Sequence, residues 1–359
     1  MSATTANGTL DTVRLATWLD GRIPGFRAPV SATRFKGGQS NPTYQLADAN
    51  GTRYVLRKKP DGVLLPSAHA VDREYRVIQA LQDTEVPVAR VHCLCEDPDV
   101  IGTAFYVMSF VDGRVLWDPA LPGMQPAERR AMYDEMNRVV AALHSVDHRA
   151  AGLADYGRPG AFFDRQIARW TRQYRATVEG PDAIEPIEAM ERLIEWLPAH
   201  VPADDETCIF HGDLRLDNMI FHPTAPRVLA VLDWELSTLG HPLADFAYHA
   251  LPWRLTAQQF RGMAGADYAA LGIPDERAYL DAYCRRVGRP PVDPAEWEFY
   301  LAYSMFRLAA ILQGILKRAK DGTAASAQAQ ETGARARPIA EAAWRQVKAH
   351  LSDATRSPR

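Results

Sequence analysis

The chain has 359 residues, 47% apolar and 24% charged, with a formal net charge of −3. That is an ordinary globular composition, long enough for one large domain or two joined lobes. The slight negative balance excludes a general basic field for nucleic acid, although residues 251–359 carry 16 Arg and Lys against 11 Asp and Glu.

Residues 10–20 place Val13, Leu15, Ala16 and Leu19 at helical spacing, and Gly21 and Pro24 end the pattern. Strands then fit Ser31–Phe35, Thr43–Leu46 and Arg53–Arg57, around the glycine turn 36–41 and the Asn50-Gly51 turn. A helix over Ala68–Leu81 and strands at Ala89–Cys95 and Thr103–Phe110 complete a β-rich segment. Beyond Arg114 the pattern predicts helices at Pro126–His144, Phe162–Val178, Ile184–Leu197, Arg277–Val287 and Glu296–Lys320. The last is apolar almost all round, as a central buried helix is. Residues 321–338 read as a loop before a terminal helix, Ile339–Leu351. The expected fold is α+β and bilobal: residues 1–112 a small β-rich lobe, residues 113–359 a larger helical one.

Cys93, Cys95, Cys208 and Cys284 have neither zinc-like nor disulfide-framework spacing and read as reduced thiols. No secretory pattern opens the sequence, and no apolar run is read as approaching the ~20 residues of a membrane helix. The expectation is a soluble cytoplasmic protein with no membrane, nucleic-acid or protein partner implied.

Chemistry concentrates in Cys208–Glu235. His211-Gly-Asp213 precedes two apolar segments, Met219–Phe221 and Val228–Leu232, that read as a hairpin. Asn218 begins the first segment and Asp233 follows the second. Phosphoryl transfer needs a carboxylate to orient the attacking hydroxyl and oxygen ligands for Mg²⁺. His-x-Asp-x₄-Asn arises by accident in on the order of one chain in a hundred of this length; the added Asp makes accident rarer still. Asp213 is therefore the candidate catalytic residue, and Asn218 and Asp233 are the candidate metal ligands.

These residues resemble the catalytic segment of the kinase superfamily. With glycine between His and Asp, the pattern is similar to the aminoglycoside phosphotransferase and choline kinase branch. The resemblance implies a protein-kinase-like fold, ATP and Mg²⁺ as cofactors, and a small-molecule hydroxyl as acceptor. It assigns Gly37, Gly38 and Ser40 to the phosphate-covering turn and Arg57 to the cation of the third strand, where the family usually has Lys. Lys58 and Lys59 then read as exposed charges. Glu74 is the acidic partner of Arg57, Met108, Ser109 and Phe110 form the adenine-reading link, Asp245 braces the catalytic loop, and His144 packs beneath it. Only nine residues separate Asp233 from Leu243, too few for a peptide-docking segment, which implies a small acceptor. The runs Leu232–Tyr248 and LRKKPDGVLLPSAHAVDREYRV closely resemble the kinase-like part of multidomain acyl-CoA dehydrogenases, which implies a hydroxyacyl-CoA or hydroxy acid. An aminoglycoside acceptor and a non-catalytic nucleotide-binding pseudokinase are the alternatives.

Overall fold

A computed structural model describes residues 10–35, 41–60, 70–324 and 327–356. The chain divides into two compact units: residues 1–113 with 229–235, and residues 114–228 with 236–359.

The first unit is built on a five-stranded antiparallel sheet. Its strands are β1 (Ser31–Arg34), β2 (Thr43–Ala47), β3 (Arg53–Lys58), β4 (Val91–Cys95) and β5 (Phe105–Ser109), in the order β1-β2-β3-β5-β4. Alternation along β3 turns Tyr54 and Leu56 into a core shared with Leu15 and Leu19 of the helix Thr12–Leu19. Arg57 projects to the opposite face, where the helix Val71–Leu81 lies. Lys58 is buried, which corrects its reading as an exposed charge. By strand alternation it falls on the face of Tyr54 and Leu56, where the core covers its aliphatic stem. Lys59 is partly exposed and pairs with Asp72 at 3.7 Å.

The second unit is mainly helical. The helices Pro126–His144 and Phe162–Val178 have the predicted bounds, because proline starts the first and the apolar stripes are continuous. At the centre runs Pro294–Lys320, packed on Phe162–Val178, Pro242–His249 and the terminal helix Ala336–Arg356. Phe163 meets Phe299, Tyr300 and Tyr303 with ring centroids 5.1–5.5 Å apart. By length and composition this central helix could span a membrane, contrary to the reading of the apolar runs. Its most apolar window, however, is 83% buried in protein.

The predicted loop 321–338 contains a short helix, Ala329–Ala334. Close packing requires glycine at one place in it: a Cβ on Gly333 would lie 2.6 Å from Leu316. Two strand pairings complete the unit, Arg114–Val115 with Met219–Phe221 and Cys208–Phe210 with Thr238–Gly240. The second was absent from the sequence reading, since three-residue strands show no usable period.

Candidate active site

The His211–Asn218 segment leaves the strand Cys208–Phe210 and closes in a 3₁₀ turn at Leu216–Asn218. Asn218 Nδ2 donates to the Asp213 carbonyl at 2.7 Å and to its carboxylate Oδ2 at 3.0 Å. Arg215 donates to the same Oδ2 at 3.1 Å. The predicted catalytic carboxylate and one predicted metal ligand are therefore adjacent. Arg215 is a site residue that sequence reasoning missed, although it lies inside the motif.

A buried frame holds this loop. Asp245 accepts the His211 N–H at 2.6 Å and the Gly212 N–H at 3.0 Å, and His144 Nε2 lies 3.4 Å from the same carboxylate. Arg307 donates to the Gly212 carbonyl at 2.5 Å. Burial alone would raise the Asp245 pKa; hydrogen bonding and charge from His144, with help from His211, bring it below the ordinary value. Glycine is required at 212, where φ is +87° and a Cβ would lie 3.0 Å from the Leu236 carbonyl oxygen. His249 bonds the Leu214 carbonyl at 3.0 Å and the Tyr279 hydroxyl at 2.8 Å. Burial pushes its pKa down to about 4, so it is neutral in this role.

The first unit holds the second group. Arg57 Nε pairs with Glu74 at 2.8 Å, and its Nη2 reaches Asp233 at 2.9 Å and Glu235 at 3.0 Å. Asn41 Nδ2 donates to Glu74 Oε1 at 2.6 Å, and the Tyr106 hydroxyl donates to Glu74 Oε2 at 3.1 Å. Asn41, Tyr106 and Glu235 were not assigned from sequence. Tyr106 had a legible cue, because it is the cross-strand partner of Arg57. Burial raises the Glu74 pKa, with Asp233 adding to it and Arg57 opposing. Burial would lower that of Arg57; the surrounding carboxylates, Glu74 first, raise it instead. Asp233 has φ +67°, an uncommon conformation for a residue with a side chain and one that collects at functional sites.

Of the proposed adenine link, the Ser109 N–H donates to Arg90 O at 2.8 Å and the Phe110 N–H to Arg53 O at 3.3 Å. Both donors are thus committed within the unit. Met108 lies opposite Val55 on β3. Gly37, Gly38 and Ser40 fall outside the described residues. Among the described residues no group of three His, Cys, Asp or Glu side chains is arranged to hold a metal. All four cysteines are buried and free.

The second unit also contains a pocket of about 550 Å³ that includes space open to solvent. Arg215, Asp217 and Tyr248 connect it to the Asp213 loop. Burial raises the Tyr248 pKa, and the Asp213 charge adds to the shift. Its other walls are mostly apolar and aromatic.

The model of the phosphotransferase enzyme family matches residues 31–297. The chain belongs to that family. It is 49% identical over 318 residues to mouse acyl-CoA dehydrogenase family member 10, covering 88% of this chain but 29% of that protein. The chain spans less than half the length of such curated relatives. A solved structure from Ralstonia eutropha, provisionally named an aminoglycoside phosphotransferase, shares 57% identity and a TM-score of 0.86, covering 95% of this chain and 99% of that one. An ethanolamine kinase from Plasmodium vivax, 11% identical, has a TM-score of 0.57 over 87% of this chain and 81% of that one, a likeness of fold alone. The family member therefore has the kinase-like fold, β-rich in its first unit and helical in its second.

Proposed function

We propose that this family member transfers the γ-phosphoryl group of ATP, with Mg²⁺, to a hydroxyl of a small molecule, and that the acceptor is a hydroxyacyl-CoA or hydroxy acid. The observation that carries the reading is the Asp213 carboxylate, fixed by Asn218 and Arg215 beside a largely apolar pocket.

The donor set suits a hard cation and a nucleotide. Three carboxylates gather around Arg57 in the first unit, and the Asn218 amide stands against the Asp213 carboxylate in the second. Mg²⁺ bound to the nucleotide would offset charge on the phosphate oxygens. The motif assigns Asn218 and Asp233 to hold it, and Arg57, oriented by Glu74, to meet phosphate charge. Asp213 accepts a hydrogen bond from the acceptor hydroxyl, orients its oxygen for attack and takes its proton as the new bond to the γ-phosphorus forms, the bond from that phosphorus to the bridging oxygen breaks and ADP leaves. Asp245 acts through the backbone of residues 211 and 212, keeping Asp213 in place.

Support for the acyl acceptor comes from the likeness to an acyl-CoA dehydrogenase family member. An aminoglycoside is a polycation, and the pocket lacks a carboxylate surplus to receive one. The test is transfer of labelled γ-phosphate to a panel of hydroxy acids and their CoA thioesters. Asp213→Asn should lower kcat by ~10²–10⁴; an unchanged kcat rejects the assignment.

A further inference from the structure

The pocket in the second unit carries a charge arrangement that the transfer reaction itself does not use. Two arginines, Arg215 and Arg261, enter it and share one acid. Asp217, buried, pairs with Arg215 at 3.3 Å and with Arg261. His249 in the same wall is neutral, so the lining has one more positive charge than negative. Arg215 is also tied to Asp213, which places it next to the reacting hydroxyl. Arg261 is 37% exposed and pairs with no second acid among the described residues. Its guanidinium lies 4.8 Å from the Trp117 ring centroid and 5.9 Å from that of Phe260. Trp117 is 61% exposed, so its ring is open to a ligand beside Arg261.

Arg261 follows the short helix Ala257–Phe260 as its left-handed C-cap, with φ +44°. The capping box of Thr256 and Gln259 fixes the short helix Ala257–Phe260. Gly262 follows, where a Cβ would lie 1.7 Å from the Leu255 carbonyl oxygen. The chain turns tightly here, and Arg261 lies over Trp117 in the pocket lining.

We propose that Arg261, stacked on Trp117, is the specificity-determining residue that recognises a negative charge on the acceptor, while the aromatic walls receive its apolar chain. The occupant is an amphiphilic hydroxy compound with one anionic group close to the hydroxyl, because Arg215 and Arg261 meet on a single Asp217 oxygen. Its hydroxyl end lies toward Arg215 and Asp213, and its anion at Arg261. A guanidinium supplies forked donors and a stacking face together, which lysine does not. The proposal rests on the kinase reading for the orientation of the acceptor, but binding can be measured without any transfer.

The probes are 3-hydroxyoctanoate and the uncharged 1,3-octanediol, added to the full chain without nucleotide and followed by calorimetry. The acid should bind about tenfold or more tighter than the diol. Arg261→Gln should abolish that preference while leaving diol binding in place, and Arg261→Lys should restore only part of it. Trp117→Ala, at an exposed position that leaves the core intact, should weaken both probes. Thermal melting confirms that the variants fold, and saturable diol binding by Arg261→Gln shows an intact pocket. Equal affinity of the wild type for both probes, no binding of the acid, or a preference retained in Arg261→Gln overturns the proposal. Parallel transfer assays separate the two readings. An Arg261-dependent preference without phosphoryl transfer to any acceptor upholds the pocket and rejects the kinase; transfer with a KM for hydroxy acids indifferent to Arg261→Gln does the reverse.

Discussion

Replacing Arg57 by methionine keeps a side chain of similar length but leaves the Glu74 carboxylate, 2% exposed, with Asn41 and Tyr106 as its donors among the described residues. Asp233 and Glu235 are more exposed and lose less, because water can reach them. Stranding one member of a buried pair costs about 3–5 kcal/mol. Glu74 has an escape: it can take up a proton. Protonating an ordinary glutamate at pH 7 costs about 3.7 kcal/mol, and at pH 5 about 1 kcal/mol. The variant should therefore be about 3 kcal/mol less stable than wild type at pH 7 and only about 1 kcal/mol less stable at pH 5.

The sign follows from burial, which already raises the folded-state Glu74 pKa above its ordinary value. Loss of Arg57 raises it further. The folded variant then binds more protons than the unfolded chain, so stability is recovered at low pH and lost as pH rises through the raised folded value. Amide exchange over Arg53–Lys58 and Val71–Leu81 localises the effect to the first unit. At pH 7 their protection should fall about a hundredfold. Adding Glu74→Gln should remove the excess pH dependence. A deficit of equal size at both pH values, or one unaffected by Glu74→Gln, would refute the reasoning.

Two further outcomes concern the catalytic loop. Asp245→Asn should destabilise the second unit by about 2–4 kcal/mol at neutral pH, because two backbone donors and His144 lose a charged acceptor. The depressed Asp245 pKa makes its contribution present above the ordinary carboxylate range and lost as pH falls through the folded value. Acid unfolding below about pH 4 should thus be shallower in the variant than in wild type, as circular dichroism would record. Gly212→Ala should cost at least 1 kcal/mol, since φ is +87° and the new methyl group meets the Leu236 carbonyl oxygen and Phe210. A melting temperature within a degree of wild type would contradict that strain.

What the amino-acid order determined by itself is local or covalently close. Proline at Pro126 and an unbroken apolar stripe set the helix Pro126–His144, and alternation in RYVLRK put Arg57 and Lys58 on opposite faces of β3. The spacing of His211, Asp213 and Asn218 within eight residues made the candidate catalytic loop readable, because one turn can bring those groups together. Distant partners carried no such mark. Glu235 reaches Arg57 across 178 positions, and Arg261 reaches Asp217 across 44; each is an ordinary surface charge until folding removes water from the pair. Lys58 shows the same limit, since alternation assigned its face but only packing decided that the face was covered. Folding likewise decided that Trp117 stands exposed beside Arg261. Periodicity reports which side a residue takes, whereas burial and charge pairing depend on what the rest of the chain brings to that side.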